Sequence, residues 1–211
     1  MILIGHYDSP FVRRVGVALH LYDIAYEHRA WSVFREADEI AAYNPLKRVP
    51  TLILDDGEVL IESAAILDWL DELAGPERAL IAAHGDARRR ALKVCALATG
   101  LADKAVSLVY ERAVHDRQTP IWIARCRAQI EGVLAVLEAE RAARPGGWWY
   151  GDRINHADIA VGCVLRFLGE AHPDAYDPRR WPALAAHGEL CEALPAFAAV
   201  AEPFFVAAPK A

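Results

Sequence analysis

The chain alternates between two hydrophobic rhythms in its first third and keeps to one of them afterwards. MILIGHY reads as a short apolar strand. Helical spacing follows over residues 10 to 22, with apolar positions at Phe11, Val12, Val15, Val17, Ala18 and Leu19. AYEHRAW alternates polar and apolar residues, as a half-buried strand does, and FREADEIAAY has the spacing of a short helix. TLILDD and EVLIES flank Asp56-Gly57, which predicts a hairpin with its turn there. SAAILDWLDELA predicts a helix that stops at Gly75-Pro76. The order is β-α-β-α-β-β-α.

Beyond residue 84 no further strand signal occurs. Ala-, Leu- and Val-rich helical patterns cover roughly 86 to 114, 119 to 143, 156 to 171 and 183 to 193. Pro120, Pro145-Gly146-Gly147, Pro173, Pro178, Pro182 and Pro195 separate or end them. The expected organisation is an α/β domain over 1–76, a linker over 77–84 and an all-α domain over 85–211. Within the latter, INHADIAVGCVL carries a capping box, with Asn155 as N-cap, Asp158 three residues on and Ile154 as the hydrophobic staple. Asp158 is therefore read as structural.

Composition narrows the function. The 211 residues are 55% hydrophobic and 25% charged, ample for a real core. The formal net charge is -6 and no long basic run occurs, which argues against binding nucleic acid through its phosphates. No apolar run approaches the ~20 residues that span a bilayer. No charged segment followed by an apolar stretch opens the chain. A soluble, cytoplasmic protein without membrane or nucleic-acid partners is expected. Cys95, Cys126, Cys163 and Cys191 lie in apolar helical patterns, with no CxxC and no metal-ligand spacing, so they are expected as small buried hydrophobes. The eight histidines include no HExxH, and no metal is expected.

Three loops of the first domain hold candidate chemistry. Ser9-Pro10 opens the first helix, a favoured N-cap followed by a favoured first helical residue. NPLKRVP (44–50) ends in Val49-Pro50 before a strand, where the proline removes a backbone donor and a cis bond is compatible with a tight turn. Glu62-Ser63 begins the third helix, with Ser63 as its expected cap. Taken singly, each is ordinary capping or turn chemistry.

Taken together, YDSPFVRRV (7–15), NPLKRVP (44–50), GEVLIESAAILDWL (57–70) and the closing PKA (209–211) resemble the cytosolic glutathione transferases. Within them the likeness is to the bacterial serine-type branch, YibF-like and zeta-like. It covers nearly the whole chain and implies a thioredoxin-like α/β domain followed by an all-α domain. It also implies glutathione as co-substrate, a small electrophile as second substrate, and a homodimer. By the same likeness, Ser9 contacts the glutathione sulfur and Val49 offers its backbone N–H and C=O to the cysteinyl part. Pro50 is the cis-proline that holds Val49 so. Glu62 and Ser63 grip the γ-glutamyl amine and carboxylate, and Lys47 or Arg48 takes the glycine carboxylate. Many relatives carry Gly-Lys or Gly-Gln before the Val-Pro, where this chain has Lys47-Arg48. Asp103 resembles an acid that in some branches reaches the partner subunit's glutathione.

The roles also follow from what glutathione is. Its carboxylates want helix N-terminal N–H groups or Arg, its ammonium a carboxylate. Its thiol has a pKa of about 8.5, so roughly 7% is thiolate at about pH 7.4. Lowering it to ~6.5 takes about 2.7 kcal/mol. A hydroxyl hydrogen bond to the charged sulfur supplies roughly 1.5–3, and a helix N-terminus roughly 0.3–1. Ser9 can therefore cap its helix and donate to the thiolate, with Tyr7 as reserve donor. Because ionisation can gain only about tenfold, most of the rate must come from positioning the electrophile. Tyr7, Phe11, Trp31, Phe34, Tyr110 and Arg112 are the candidate residues for its pocket. His6 is read as structural, and Trp148-Trp149-Tyr150 as packing.

Three functions fit. One is a glutathione transferase. Another is a glutathione-dependent peroxidase, dehalogenase or lyase-type enzyme, although redox members usually carry Cys where Ser9 stands. The third is a non-catalytic glutathione-binding interaction protein.

Overall fold

The computed structural model describes residues 1–144 and 146–206, so Pro145 and the closing PKA stretch lie outside the described residues. The chain divides into two compact units: Met1–Ala79 together with the chain from Pro195 onward, and Leu80–Leu194.

The first unit runs β1 (Ile2–Ile4), α1 (Pro10–Leu21), β2 (Glu27–Arg29), α2 (Ala37–Ala41), β3 (Thr51–Ile53), β4 (Val59–Ile61) and α3 (Ser63–Ala74). The sheet order is β2-β1-β3-β4. β1 is parallel to β2 through the α1 crossover and antiparallel to β3. β3 and β4 form the predicted hairpin, in register from Thr51↔Ile61 to Ile53↔Val59, with Gly57 at φ 89 in its turn. This is the thioredoxin-like arrangement. Leu3, Ile4, Val15, Leu19, Leu52, Ile66 and Leu70 fill its core, all fully buried. They come from both faces of β1, from the middle of β3 and from the helical stripes read above.

Two expectations need correction. Ser63 does not cap α3. Glu62 occupies the N-cap position, without a side-chain cap hydrogen bond, and Ser63 is the first helical residue. The positive φ of Glu62 (67°) turns the chain from β4 into the helix within one residue, drawing Ser63 inside. The second correction concerns residues 195–206, expected in the helical domain. A further short helix, α8 (Pro195–Ala199), belongs to the first unit with the chain that follows it. The cause is Arg13 on α1, a buried guanidinium. Its Nε donates to the Val200 carbonyl at 3.2 Å and its Nη2 to the Phe197 carbonyl at 3.1 Å, and its plane lies over the Phe197 ring. Two backbone acceptors and an aromatic face are what an arginine taken out of water requires.

The second unit holds α4 (Gly85–Ala113), α5 (Pro120–Ala142), α6 (His156–Ala171) and α7 (Pro182–Glu192), close to the predicted spans. α6 packs against α4 and α7 and is buried along almost its whole length. Its capping box is present as read: Asn155 accepts from the Ala157 N–H at 2.9 Å, and Asp158 accepts from Asn155 N at 2.9 Å and Trp149 N at 2.6 Å. Trp149 is buried, and both its indole N–H and the Tyr150 hydroxyl donate to Glu140, which is packing work. All four cysteines are buried. Among the described residues no helix is long and apolar enough to cross a membrane.

Candidate functional site

The three loops singled out by sequence all belong to the first unit. Ser9 stands at the N-cap of α1, with φ -70 and ψ 124, and Pro10 is the first helical residue. Its Oγ accepts from the Val12 N–H at 3.4 Å, and its carbonyl accepts from Arg13 N at 2.9 Å. A hydroxyl that accepts still has a proton to give. Capping therefore leaves Ser9 able to donate to an anion placed before α1, where the helix's unpaired N–H groups and dipole also favour negative charge.

The second loop is organised by Asn44, a buried residue that sequence reasoning left without a role. Its Nδ2 donates to the Arg48 carbonyl at 2.9 Å and to Thr51 Oγ1 at 3.1 Å, while its Oδ1 accepts from Leu46 N at 3.0 Å. An Asn before Pro45 was the signal available for it. Lys47 takes a left-handed conformation (φ 51) and its Nζ reaches Asp38 at 2.8 Å. The Val49-Pro50 bond is cis.

Gly5 brings the second loop against the first. At φ 125, a Cβ on Gly5 would lie 2.6 Å from Val12 Cγ2 and 2.7 Å from Val49 Cβ. Val49 is thus seated over the turn between β1 and α1, beside the first turn of the helix that Ser9 caps. Arg48 in turn reaches the third loop, its Nη1 3.4 Å from Glu62 Oε1. Holding a non-glycine residue at φ 67 costs of order 1–3 kcal/mol, and such strain collects where a side chain must be aimed. Both Arg48 and Glu62 are about half exposed, so their pairing adds little stability and leaves both heads accessible. Ser63 is buried.

Tyr7 is engaged elsewhere. Its ring stacks on His28, with centroids 4.0 Å apart, and closes on Gly16 of α1, where a Cβ would sit 2.7 Å from Tyr7 Cε1. Its hydroxyl is 2.5 Å from that of Tyr26. Burial first, and then Tyr26, push its ionisation well above the usual tyrosine range. Phe11 lies in the first turn of α1, and Trp31 and Phe34 in the segment between β2 and α2, all partly exposed. The Arg29 guanidinium covers the Trp31 ring. Asp103, Tyr110 and Arg112 are on α4 of the other unit. Asp103 is exposed, Tyr110 is 38% exposed, and Arg112 Nη2 donates to the Ala171 carbonyl at 3.1 Å. Among the described residues no cluster of His, Cys, Asp and Glu has the makings of a metal site.

Electrostatics around the Ser9 loop were not legible from sequence. Glu202 lies 2.7 Å from both His6 Nδ1 and Tyr7 N. Asp8 accepts from Phe205 N at 3.4 Å. Burial raises the Asp8 carboxyl from its ordinary 3.8 to about 6, helped by the Glu202 charge and opposed by the Phe205 N–H and His6. Between roughly pH 4 and 6 the folded chain keeps a proton that the unfolded chain has lost. This group's contribution to stability is therefore full below that window and falls as pH rises through it. Asp8→Asn, which keeps an acceptor for Phe205, is expected to flatten that slope. It should also stabilise the protein near pH 7 by about 1–2 kcal/mol, after allowance for partial exposure. Melting temperature against pH for the two proteins tests this; parallel profiles would count against it.

Comparison with known proteins gives a consistent result. The profile of the glutathione S-transferase N-terminal domain matches residues 3–78, and that of its C-terminal domain residues 120–188. The chain is 32% identical over 207 residues to the maleylacetoacetate isomerase of Pseudomonas aeruginosa, covering 93% of each protein. It is 31% identical over 169 residues to the GST-like protein YibF of Escherichia coli, covering 80% of this chain and 82% of that one. Among solved structures, a glutathione S-transferase from Methylobacterium radiotolerans in complex with glutathione sulfonate superposes with a TM-score of 0.90. The two are 32% identical, over 100% of this chain and 98% of that one.

Proposed function

This chain belongs to the glutathione S-transferase family, and from that premise we propose that its first unit binds glutathione and activates the thiol for attack on a small electrophile. Ser9 donates its hydroxyl proton's hydrogen bond to the sulfur. Val49 pairs its backbone with the cysteinyl part, and Pro50 holds it there. Glu62 takes the γ-glutamyl ammonium, and Ser63 with the α3 N-terminus takes the γ-glutamyl carboxylate. Lys47 and Arg48 are the two cations offered to the glycine carboxylate. The observation that carries the reading is the convergence on Gly5 and Glu62: Val49 is seated beside the capped start of α1, and Arg48 reaches the strained Glu62.

Titration calorimetry tests the site. We expect glutathione to bind with micromolar to millimolar affinity, about 4 to 8 kcal/mol. Glu62→Ala should weaken it about tenfold, one partly exposed charge-assisted contact. No heat with the parent protein, or equal affinities, would sink the assignment.

The isomerase name of the Pseudomonas relative favours a second outcome at the same site. A thiolate that adds to a conjugated double bond can leave again after rotation, returning glutathione unchanged. The two readings separate on stoichiometry across a panel of electrophiles: a transferase consumes one glutathione per product, an isomerase none. Phe11, Trp31, Phe34, Tyr110 and Arg112 are proposed for the electrophile, and Asp103 for a contact between subunits of a homodimer. Retention of Val49-Pro50 and Glu62-Ser63 favours a working glutathione site over a non-catalytic role.

A further inference from the structure

Residues 200–205 return to the first unit and meet the loop that carries Ser9. Glu202 holds that loop with both carboxylate oxygens. Oε1 is 2.7 Å from His6 Nδ1, and Oε2 accepts from the Tyr7 N–H at 2.7 Å. These are short, charge-assisted distances. Its grip passes directly to the next turn, since the Ser9 N–H donates to the His6 carbonyl at 3.2 Å. Phe205 adds to it, with its ring edge on His6 and its N–H toward Asp8. The segment itself is fastened to α1, because Arg13 holds the carbonyls of Phe197 and Val200. The helix that Ser9 starts therefore anchors the segment that holds the Ser9 turn. The pair bridged by Glu202 and His6 lies 196 residues apart in sequence.

We infer that Glu202 is a positioning residue for Ser9: by holding His6 and Tyr7 it sets the angle at which the Ser9 hydroxyl meets the sulfur. This rests on the reading of Ser9 as the thiol's partner. The need for such a device is geometric. Ser9 Oγ already serves the Val12 N–H at 3.4 Å, so its free direction is set by the turn rather than by its own rotamer. A carboxylate acting only through its charge would do the opposite of what the thiolate needs, because negative charge opposes ionisation of a nearby thiol. Reach and charge thus predict opposite signs. Among the described residues, the titratable groups that face Glu202 are His6, Asp8 and the Tyr7 phenol from the loop, while Arg13 of α1 holds the Val200 carbonyl two residues before it.

Two variants separate the effects. Glu202→Asp keeps the charge and shortens the reach by one methylene. Glu202→Gln removes the charge, keeps an acceptor for the Tyr7 N–H and turns an amide N–H toward His6 Nδ1, which accepts it in the tautomer protonated at Nε2. Thiolate absorbance of the glutathione complex against pH is the first readout. Amide hydrogen exchange at Tyr7, Ser9 and Val12 in glutathione-free protein is the second. Glu202→Asp is expected to raise the thiol midpoint by about one unit, the weakening of a single hydrogen bond to a charged sulfur. Glu202→Gln should leave the midpoint within a few tenths of a unit of the parent. Exchange at Tyr7 and Ser9 should rise about tenfold in Glu202→Asp alone. A midpoint that falls in Glu202→Gln and stays put in Glu202→Asp means that Glu202 acts by charge, and overturns the inference. Lower melting temperatures with neither midpoint moved mean a merely structural tie, and overturn it too. If the parent protein forms no glutathione thiolate, the functional reading fails by itself. Exchange then decides: unchanged rates in Glu202→Asp overturn the control of the loop by Glu202, and faster rates support it.

Discussion

Gly5→Ala is expected to destabilise the protein by about 4 kcal/mol, the largest effect of any single methyl group here. Gly5 sits at φ 125, where a side chain is strained at a cost of roughly 1–3 kcal/mol. The new methyl would also meet Val12 Cγ2 at 2.6 Å and Val49 Cβ at 2.7 Å. Both belong to packed side chains, so the overlap costs a further ~1–3 kcal/mol. For a chain of this size the melting temperature should fall by roughly 8–16 °C. The damage is also directional. Relief by moving Val49 displaces the residue proposed to pair with the cysteinyl backbone, so glutathione affinity should fall with stability. Thermal unfolding with and without glutathione measures both. A shift under about 2 °C would show that the β1–α1 turn opens without resistance and that Val49 is not seated there.

Ser9→Ala is expected to raise the thiol midpoint of bound glutathione by one to two units, roughly 1.4–2.7 kcal/mol. Tyr7→Phe should do little, because the Tyr7 hydroxyl is committed to Tyr26 and its ring to Gly16 and His28. Alanine is also a poorer cap by roughly 1 kcal/mol, so melting curves must accompany the titrations. If the Tyr7→Phe midpoint moves and the Ser9→Ala one does not, the donor is Tyr7. If neither moves, the backbone N–H groups of α1 activate the thiol alone and Ser9 is only a cap.

Much of the architecture was legible because it rests on local rules. Helical spacing located α1, α3 and the four long helices, and Asp56-Gly57 located the hairpin. The Asn155/Asp158 box announced the start of α6. Misreadings arose where a local preference met a constraint from outside its window. Serine favours N-caps, yet Ser63 is drawn into α3 because Glu62 makes the whole turn at a positive φ that no sequence signal marks for a glutamate. Alternation over AYEHRAW suggested a longer strand than β2, whose extent is set by pairing with β1 from Ile2↔Glu27 to Ile4↔Arg29. Residues 195–206 were assigned by proximity in sequence, whereas a buried arginine on α1 decides their place. Three candidate loops were visible as motifs; their convergence, Asn44's role within the second and Glu202's hold on the first depend on contacts between distant positions.

The return of the chain from Pro195 onward also fixes an order of events during synthesis. Ribosomes extend a chain at roughly 5–20 residues per second, and N-terminal domains commonly fold while the remainder is still being made. The sheet of this protein can form early, since all four strands precede residue 62. Arg13, however, must wait for the carbonyls of Phe197 and Val200, some ten seconds or more of translation later. Until then a charged guanidinium destined for burial lacks those two acceptors, and the α1 face that α8 covers stays wet. Messages truncated just upstream of Pro195 would yield chains that keep all four strands, the three loops of the candidate site and the whole helical unit, yet never complete the first unit. Surveillance proteases would meet such products as persistently open molecules rather than as shortened but finished ones.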